Sequence, residues 1–167
     1  MTLSMYQAGI PVAIRFLNNL SAIIDKAAAH CTARNIDQSV LVNFRLAPDM
    51  LPFSRQVQIA SDIVKGGAAR LAGVEVPSYE DNEASFDDLK ARIAKTVAFL
   101  QTFTPAQIDG TEGKEIILKG RTGDRKFTGI DYLTNFVMPN LFFHTTTAYA
   151  ILRHNGIEIG KKDFLGG

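Results

Sequence analysis

Cysteine is nearly absent from this 167-residue chain. Cys31 stands alone, so no intramolecular disulfide and no multi-thiolate zinc site can be built. Histidine is almost as scarce: His30, His144 and His154 are the whole supply of imidazole for any metal centre. Long apolar runs are missing too. No window approaches the roughly 20 apolar residues that a membrane helix needs, and Arg15, Asn18 and Asn19 interrupt the only stretch that could pass for the core of a signal peptide. The expected compartment is the cytoplasm, with no membrane partner. Charge of one sign is equally lacking. Lys and Arg number 18 against 17 Asp and Glu, a formal charge of +1, and basic residues run no longer than pairs such as Arg125-Lys126. That is no footprint for gripping phosphate backbones, so nucleic acid is not an expected partner. Gly66-Gly67 and Gly120 to Gly123 lack the spacing of a phosphate loop, and Ser54 and Ser61 stand outside any GxSxG elbow.

What the chain does have is enough apolar material, 46% of residues, for one core in a single domain over residues 1–167. Much of it is spaced at three and four. From Ser4 to about Ala33, Ile10, Ile14, Leu17, Ile24 and Ala28 form one row, with Phe16, Leu20, Ile23 and Ala27 beside it, which predicts a long first helix. Pro11 either marks its first turn or bends it. A short helix is expected within Asp37 to Leu46, stopped by Pro48 and Pro52. A second long helix then carries Val57, Ala60, Val64, Ala68 and Leu71 on one stripe and ends at Gly73. Val74 to Glu83, with Pro77, acidic residues and no periodicity, reads as a crossover loop. Ser85 and Asp88 cap a third helix whose stripe is Phe86, Leu89, Ile93, Val97 and Leu100, with Pro105 beyond its end.

The next segment has a different character. Lys114 to Lys119 is rich in Ile and Leu, Gly120 to Asp124 has turn chemistry, and Arg125 to Thr128 can return as a second strand, so a small hairpin is expected. Thr128 with Asp131 caps a last helix that runs to Asn155-Gly156, a left-handed C-cap pair. Its stripe is Leu133, Phe136, Asn140, His144, Thr147 and Ile151, and Pro139 should kink it or loosen its hydrogen bonding. Ile157 to Gly167 is too short to predict another element, although Ile159, Phe164 and Leu165 can anchor it. Four long amphipathic segments make the fold class all-α, a four-helix bundle with attachments.

The polar residues on these stripes are the site candidates. His144 and His154 lie ten residues apart, a rise of about 15 Å and about 80° of rotation, so they cannot share an ion at the ~2 Å bonds of imidazole. His154 sits where an imidazolium favours a helix C-terminus. Asn140 and His144 are one turn apart on the apolar stripe, so both are expected to point into the bundle. They are either a hydrogen-bonded polar pair in the core or a ligand-binding or catalytic pair. Thr145 to Thr147 can bond back to their own helix, and Cys31 has no adjacent base and is expected to be inert.

Three stretches, "SMYQAGIPVAIRFLNNLSAIIDKA", "RLAPDMLPFSRQVQIASD" and "PNLFFHTTTAYAILRHNGIEIGKKDFLG", resemble an uncharacterised bacterial domain-of-unknown-function family. That family is grouped with the DinB/YfiT-like helical bundles, and the resemblance covers nearly the whole chain. It implies an up-down-down-up bundle. Better-known members of the superfamily hold a divalent metal, commonly nickel or zinc, with one His from the second helix and an HxxxH pair on the last long helix, and some activate thiols such as bacillithiol or mycothiol. Carried over residue by residue, His144 takes the second position of the pair and Asn140 the first. The second helix has no histidine, and Gln58 is the best match for the remaining position. One imidazole and two amides make a poor set for nickel or zinc, because amide oxygen is a weak neutral donor. The expectation is a homodimeric DinB-like protein with a degenerate metal site, no cofactor, and a small-molecule-binding or structural role around His144, Asn140 and Gln58. The alternative is a metal- or thiol-dependent transferase or hydrolase that uses His144 with a nickel or zinc ion.

Overall fold

The computed structural model describes residues 3–120 and 123–167. Four long helices carry the fold: α1 (Met5–Arg34), α3 (Phe53–Ala72), α4 (Phe86–Leu100) and α7 (Met138–His154). Shorter elements fill the gaps between them: α2 (Gln38–Val42), α5 (Pro105–Ile108), β1 (Glu115–Leu118), β2 (Arg125–Thr128), α6 (Gly129–Asp131) and α8 (Lys161–Leu165). One stretch, π1 (Tyr132–Val137), is wound as a π-helix directly before α7. The strands pair antiparallel with Glu115 opposite Thr128 and Leu118 opposite Arg125, while the turn expected at Gly120 to Asp124 lies partly outside the described residues.

Side-chain partners fix the helix directions. Lys90 pairs with Asp25, and the Phe86 amide donates to the Gln38 side-chain oxygen just past the end of α1, so α4 runs against α1. Gln58 bonds Glu83 and Asp62 pairs with Arg92, so α4 runs alongside α3. His144 bonds Gln56 while Val137 meets Gly67, so α7 runs against α3. The result is up-down-down-up, and two helices pointing the same way need the long crossover, residues 74–85, to return the chain along the bundle.

The chain's own chemistry closes most of these elements. Ser4 with Gln7 and Ser85 with Asp88 form reciprocal capping boxes, and Gly73 ends α3 at φ 74°. Thr128 accepts from the Asp131 amide as expected. The third-helix stripe is buried except for Val97, which is half-buried.

Several expectations are corrected. The apolar face of α1 centres on Ala13, Leu17, Leu20, Ile24 and Cys31, with Ile14 and Ala28 at its margin, because α4 and α7 approach from either side. Pro11 lies inside α1 beyond the first turn, on the exposed face, where its missing donor costs one bond without ending the helix. The last helix runs unbroken through residues 129–154, and the loosening expected near Pro139 takes the form of a π-wound stretch. Pro139 cannot supply the i→i−4 donor, and the backbone immediately before it takes the wider π winding. At its C-terminus only Gly156 is left-handed, at φ 87°, while Asn155 stays near the helical region. The tail does form an element. Helix α8 is held by Arg15 and Asn19, which donate to the Leu165 and Phe164 carbonyls, and by Lys26, which pairs with Asp163. Phe164 packs edge-on against Phe16 and Tyr149.

Helix α3 is the most enclosed of the four. Fourteen of its twenty residues are buried, including Gln56, Gln58 and Lys65, since α4, α7, α2 and the crossover all lie against it.

Candidate functional site

The first turn of α3 meets the middle of α7 at His144. Gln56 is 2% exposed, and its side chain divides its two functions. Its amide nitrogen donates to the Leu51 carbonyl at 2.9 Å, which ties down the loop before the helix. That turns its oxygen toward the ring, and Gln56 Oε1 lies 2.7 Å from His144 Nδ1. With the oxygen facing the ring, Nδ1 carries the hydrogen and donates it, so Nε2 holds a lone pair. Burial alone pushes the His144 pKa below its ordinary 6.5, which keeps the imidazole neutral near pH 7. Nε2 has no hydrogen-bond partner among the described residues, and the buried polar atoms without partners are Ser61 Oγ and Arg92 Nε instead, so Nε2 reaches solvent. The neighbouring Phe143 ring stands perpendicular to the imidazole at 5.2 Å and is 58% exposed.

The other two predicted residues are placed differently. Asn140 is half-buried rather than turned into the core, and its amide donates to the Phe136 carbonyl at 2.6 Å across the junction of π1 and α7. It lies one turn from His144 and makes no hydrogen bond to it. Gln58 is buried on another side of α3, accepting from Arg55 at 2.6 Å and donating to Glu83 at 2.7 Å. The structure therefore brings Gln56, not Gln58, to the His144 ring. Periodicity favours the Val57 stripe and treats both flanking glutamines alike. The distinguishing signal is position in the first turn, where a long amide can reach back to the preceding loop.

The remaining candidates have ordinary surroundings. His154 is exposed in the last turn of α7, near Phe44, and His30 is half-buried in α1. Thr145 and Thr147 donate to the carbonyls of Leu141 and Phe143. Burial, and secondarily the charge of Asp37, raises the Cys31 thiol pKa. Among the described residues, no three His, Cys, Asp or Glu side chains come together at metal-holding spacing. Around His144 the possible donors are one imidazole nitrogen and amide oxygens, and Gln56 already spends its oxygen on the ring. This set does not fit a resident nickel or zinc ion.

A second polar cluster was not legible beforehand. Arg92 is buried on α4 and reaches Glu83 at 2.8 Å, Asp62 at 2.8 Å, Asp81 at 3.1 Å and the Glu80 carbonyl at 3.0 Å. Arg55 binds Asp81 at 2.5 Å, and Lys65 lies 3.7 Å over the Tyr79 ring. These contacts pin the acidic crossover against α3 and α4.

Comparison with known proteins agrees with this architecture. The model of the family described as domain of unknown function DUF1993 matches residues 5–165. A crystal structure described as a DinB family member protein from Shewanella denitrificans superposes with a TM-score of 0.89 at 40% identity, over 97% of this chain and 92% of that one. No curated protein matches the chain. With a family match over nearly its full length and a bundle that superposes on a DinB family member, the chain belongs to the DUF1993 family of DinB-like proteins.

Proposed function

We propose that this protein is a DinB-like bundle that binds a small molecule at the His144 end without a resident nickel or zinc ion. The observation that carries the reading is the 2.7 Å contact between His144 Nδ1 and Gln56 Oε1. It replaces a metal-ligand constellation with a fixed neutral imidazole whose free Nε2 accepts a hydrogen bond. Beside it stand the exposed Phe143 ring and the half-buried Asn140 amide, an apolar surface next to polar groups. Such a site suits a ligand with one N–H or O–H donor on an apolar body. Elemental analysis of protein purified without an affinity tag tests it. The expected result is substoichiometric nickel and zinc, unchanged in His144→Ala. A stoichiometric ion that disappears in that variant would sink the reading.

The competing function is a thiol-dependent transferase or hydrolase. It is favoured by the same solvent-reaching Nε2, since a neutral imidazole can take a thiol proton. Turnover of thiol adducts that vanishes in His144→Gln would establish it. We further read the protein as cytoplasmic, bacterial and homodimeric. Exposed Val40, Leu51 and Phe143 support self-association, and sedimentation as a monomer at high concentration would argue against it.

A further inference from the structure

The opposite end of the bundle holds a groove of about 520 Å³ between α3, the hairpin and π1. This size lies within the range of about 300–1,000 Å³ common for small-molecule sites. Ile59, Ile63, Leu118 and Phe136 form apolar walls, and Arg70 and Tyr132 supply the polar groups.

Arg70 is half-buried and forms no ion pair among the described residues. Its guanidinium folds back along α3, and Nη1 donates to the Tyr132 hydroxyl at 3.0 Å. Gly66 makes that path possible, because a Cβ there would come within 2.4 Å of Arg70 Nη1. Tyr132 is only 1% exposed. Burial raises its pKa and keeps the phenol protonated. Its oxygen accepts from Arg70, and its own hydrogen has no acceptor among the described residues. A buried hydroxyl hydrogen left without an acceptor calls for one. Of the other charges around the groove, Asp62 is held by Lys65 at 2.7 Å and Arg92 at 2.8 Å, Lys119 faces Asp124 at 2.5 Å, and the Arg125 guanidinium lies over the Phe136 ring at 4.8 Å. Two donors and the unpaired charge of Arg70 therefore converge beside an apolar wall.

We propose that this groove binds a small monocarboxylate with an apolar body, its carboxylate held between Arg70 and the Tyr132 hydroxyl and its body against Ile63, Leu118 and Phe136. Arginine suits this role because its planar fork can donate two parallel bonds to a carboxylate while a third nitrogen stays on the phenol. The site is separate from His144 and does not depend on the reading given to that residue.

The test titrates the full chain at pH 7 with phenylacetate and octanoate, using 2-phenylethanol as the uncharged control, followed by amide chemical shifts and calorimetry. Saturable shifts at Ile63 and Phe136 are expected with the two acids and not with the alcohol. Arg70→Met should weaken binding about tenfold or more, the loss of a charge-assisted contact. Tyr132→Phe should weaken it less, and His144→Ala should leave it unchanged. Gly66→Ala, which forces the guanidinium aside while keeping every polar group, should also weaken it, so the proposal remains testable if an Arg70 variant misfolds. Equal saturable shifts at Ile63 and Phe136 with 2-phenylethanol, undiminished binding in both Arg70→Met and Gly66→Ala, or no saturable shift in the groove with either acid would overturn it.

Discussion

At the scale of single residues, the protonation of His144 is the property most open to measurement. Its pKa is depressed by burial from the ordinary 6.5, so the unfolded chain binds this proton more readily than the native one. Its contribution to stability therefore rises with pH across the window between the depressed native value and about 6.5, and acidification through that window destabilises the fold. Histidine ring NMR should show His144 titrating below the ordinary 6.5. Gln56→Glu places a carboxylate 2.7 Å from Nδ1, where Gln56 Oε1 now sits, and should raise the His144 pKa by about 1–3 units. A titration that does not move would show that the ring and residue 56 part in solution. Sequence reasoning reached His144, because an imidazole on an apolar stripe stands out. It did not reach Gln56, because helical periodicity identifies an inner face only when a helix has an outer one. Around α3, residues on nearly every side are buried, and Gln56, Val57 and Gln58 in succession share that fate.

At the scale of elements, α3 and π1 approach each other closely at Gly67. A Cβ at Gly67 would lie 2.8 Å and 2.9 Å from the two γ-methyl groups of Val137. Replacing glycine by alanine within a helix ordinarily gains up to about 1 kcal/mol. Here the β-branched side chain opposite is buried and cannot swing away, and overpacking costs about 1–3 kcal/mol. Gly67→Ala should therefore be destabilising by roughly 1 kcal/mol net. A urea midpoint below that of the parent protein checks it, and Gly67→Ala combined with Val137→Ala should recover much of the loss. The long helices, the crossover and the hairpin were readable from apolar spacing and from capping residues such as Ser85, Asp88 and Gly73. Helix α8 was not, since five residues have no stability of their own. It exists because Arg15, Asn19 and Lys26, far away in sequence, hold its ends. The π winding was anticipated only as loosening near Pro139. Which carbonyls are released depends on how Asn140 and the neighbouring helices take them up.

At the scale of the whole molecule, the crossover is fastened mainly through Arg92, with Arg55 also holding Asp81. Burial of Glu83 opposes its ionisation, but hydrogen bonds led by that from Arg92 outweigh it and hold its pKa below the ordinary 4.5. Asp81 is likewise held low, first by its bond to Arg55. These depressed values stabilise the fold above about pH 4.5, and that stabilisation is lost as pH falls through them. Arg92→Met strands Glu83 without its main partner, while Asp62 and Asp81 remain partly solvated. The expected loss is about 3 kcal/mol, toward the lower end for a broken buried pair. Faster limited proteolysis within residues 74–85 should accompany it. Unchanged urea stability would mean that the crossover is held by Tyr79 and its packing instead. Nothing in the sequence singled out Arg92, because a charged residue on a helix is ordinarily solvated, and only the acid-rich crossover hinted at what it would meet.

The path of the chain through this bundle also bears on its birth. Helix α7 lies against both α3 and α1 and is the last long segment to be synthesised. Until it emerges, a nascent chain carries α3 with one flank bare, and Phe53, Val57 and Val64 have no complete core to enter. Translation that stalls before residue 138 should leave a sticky intermediate that engages holding chaperones, whereas full-length chains should close promptly and escape them.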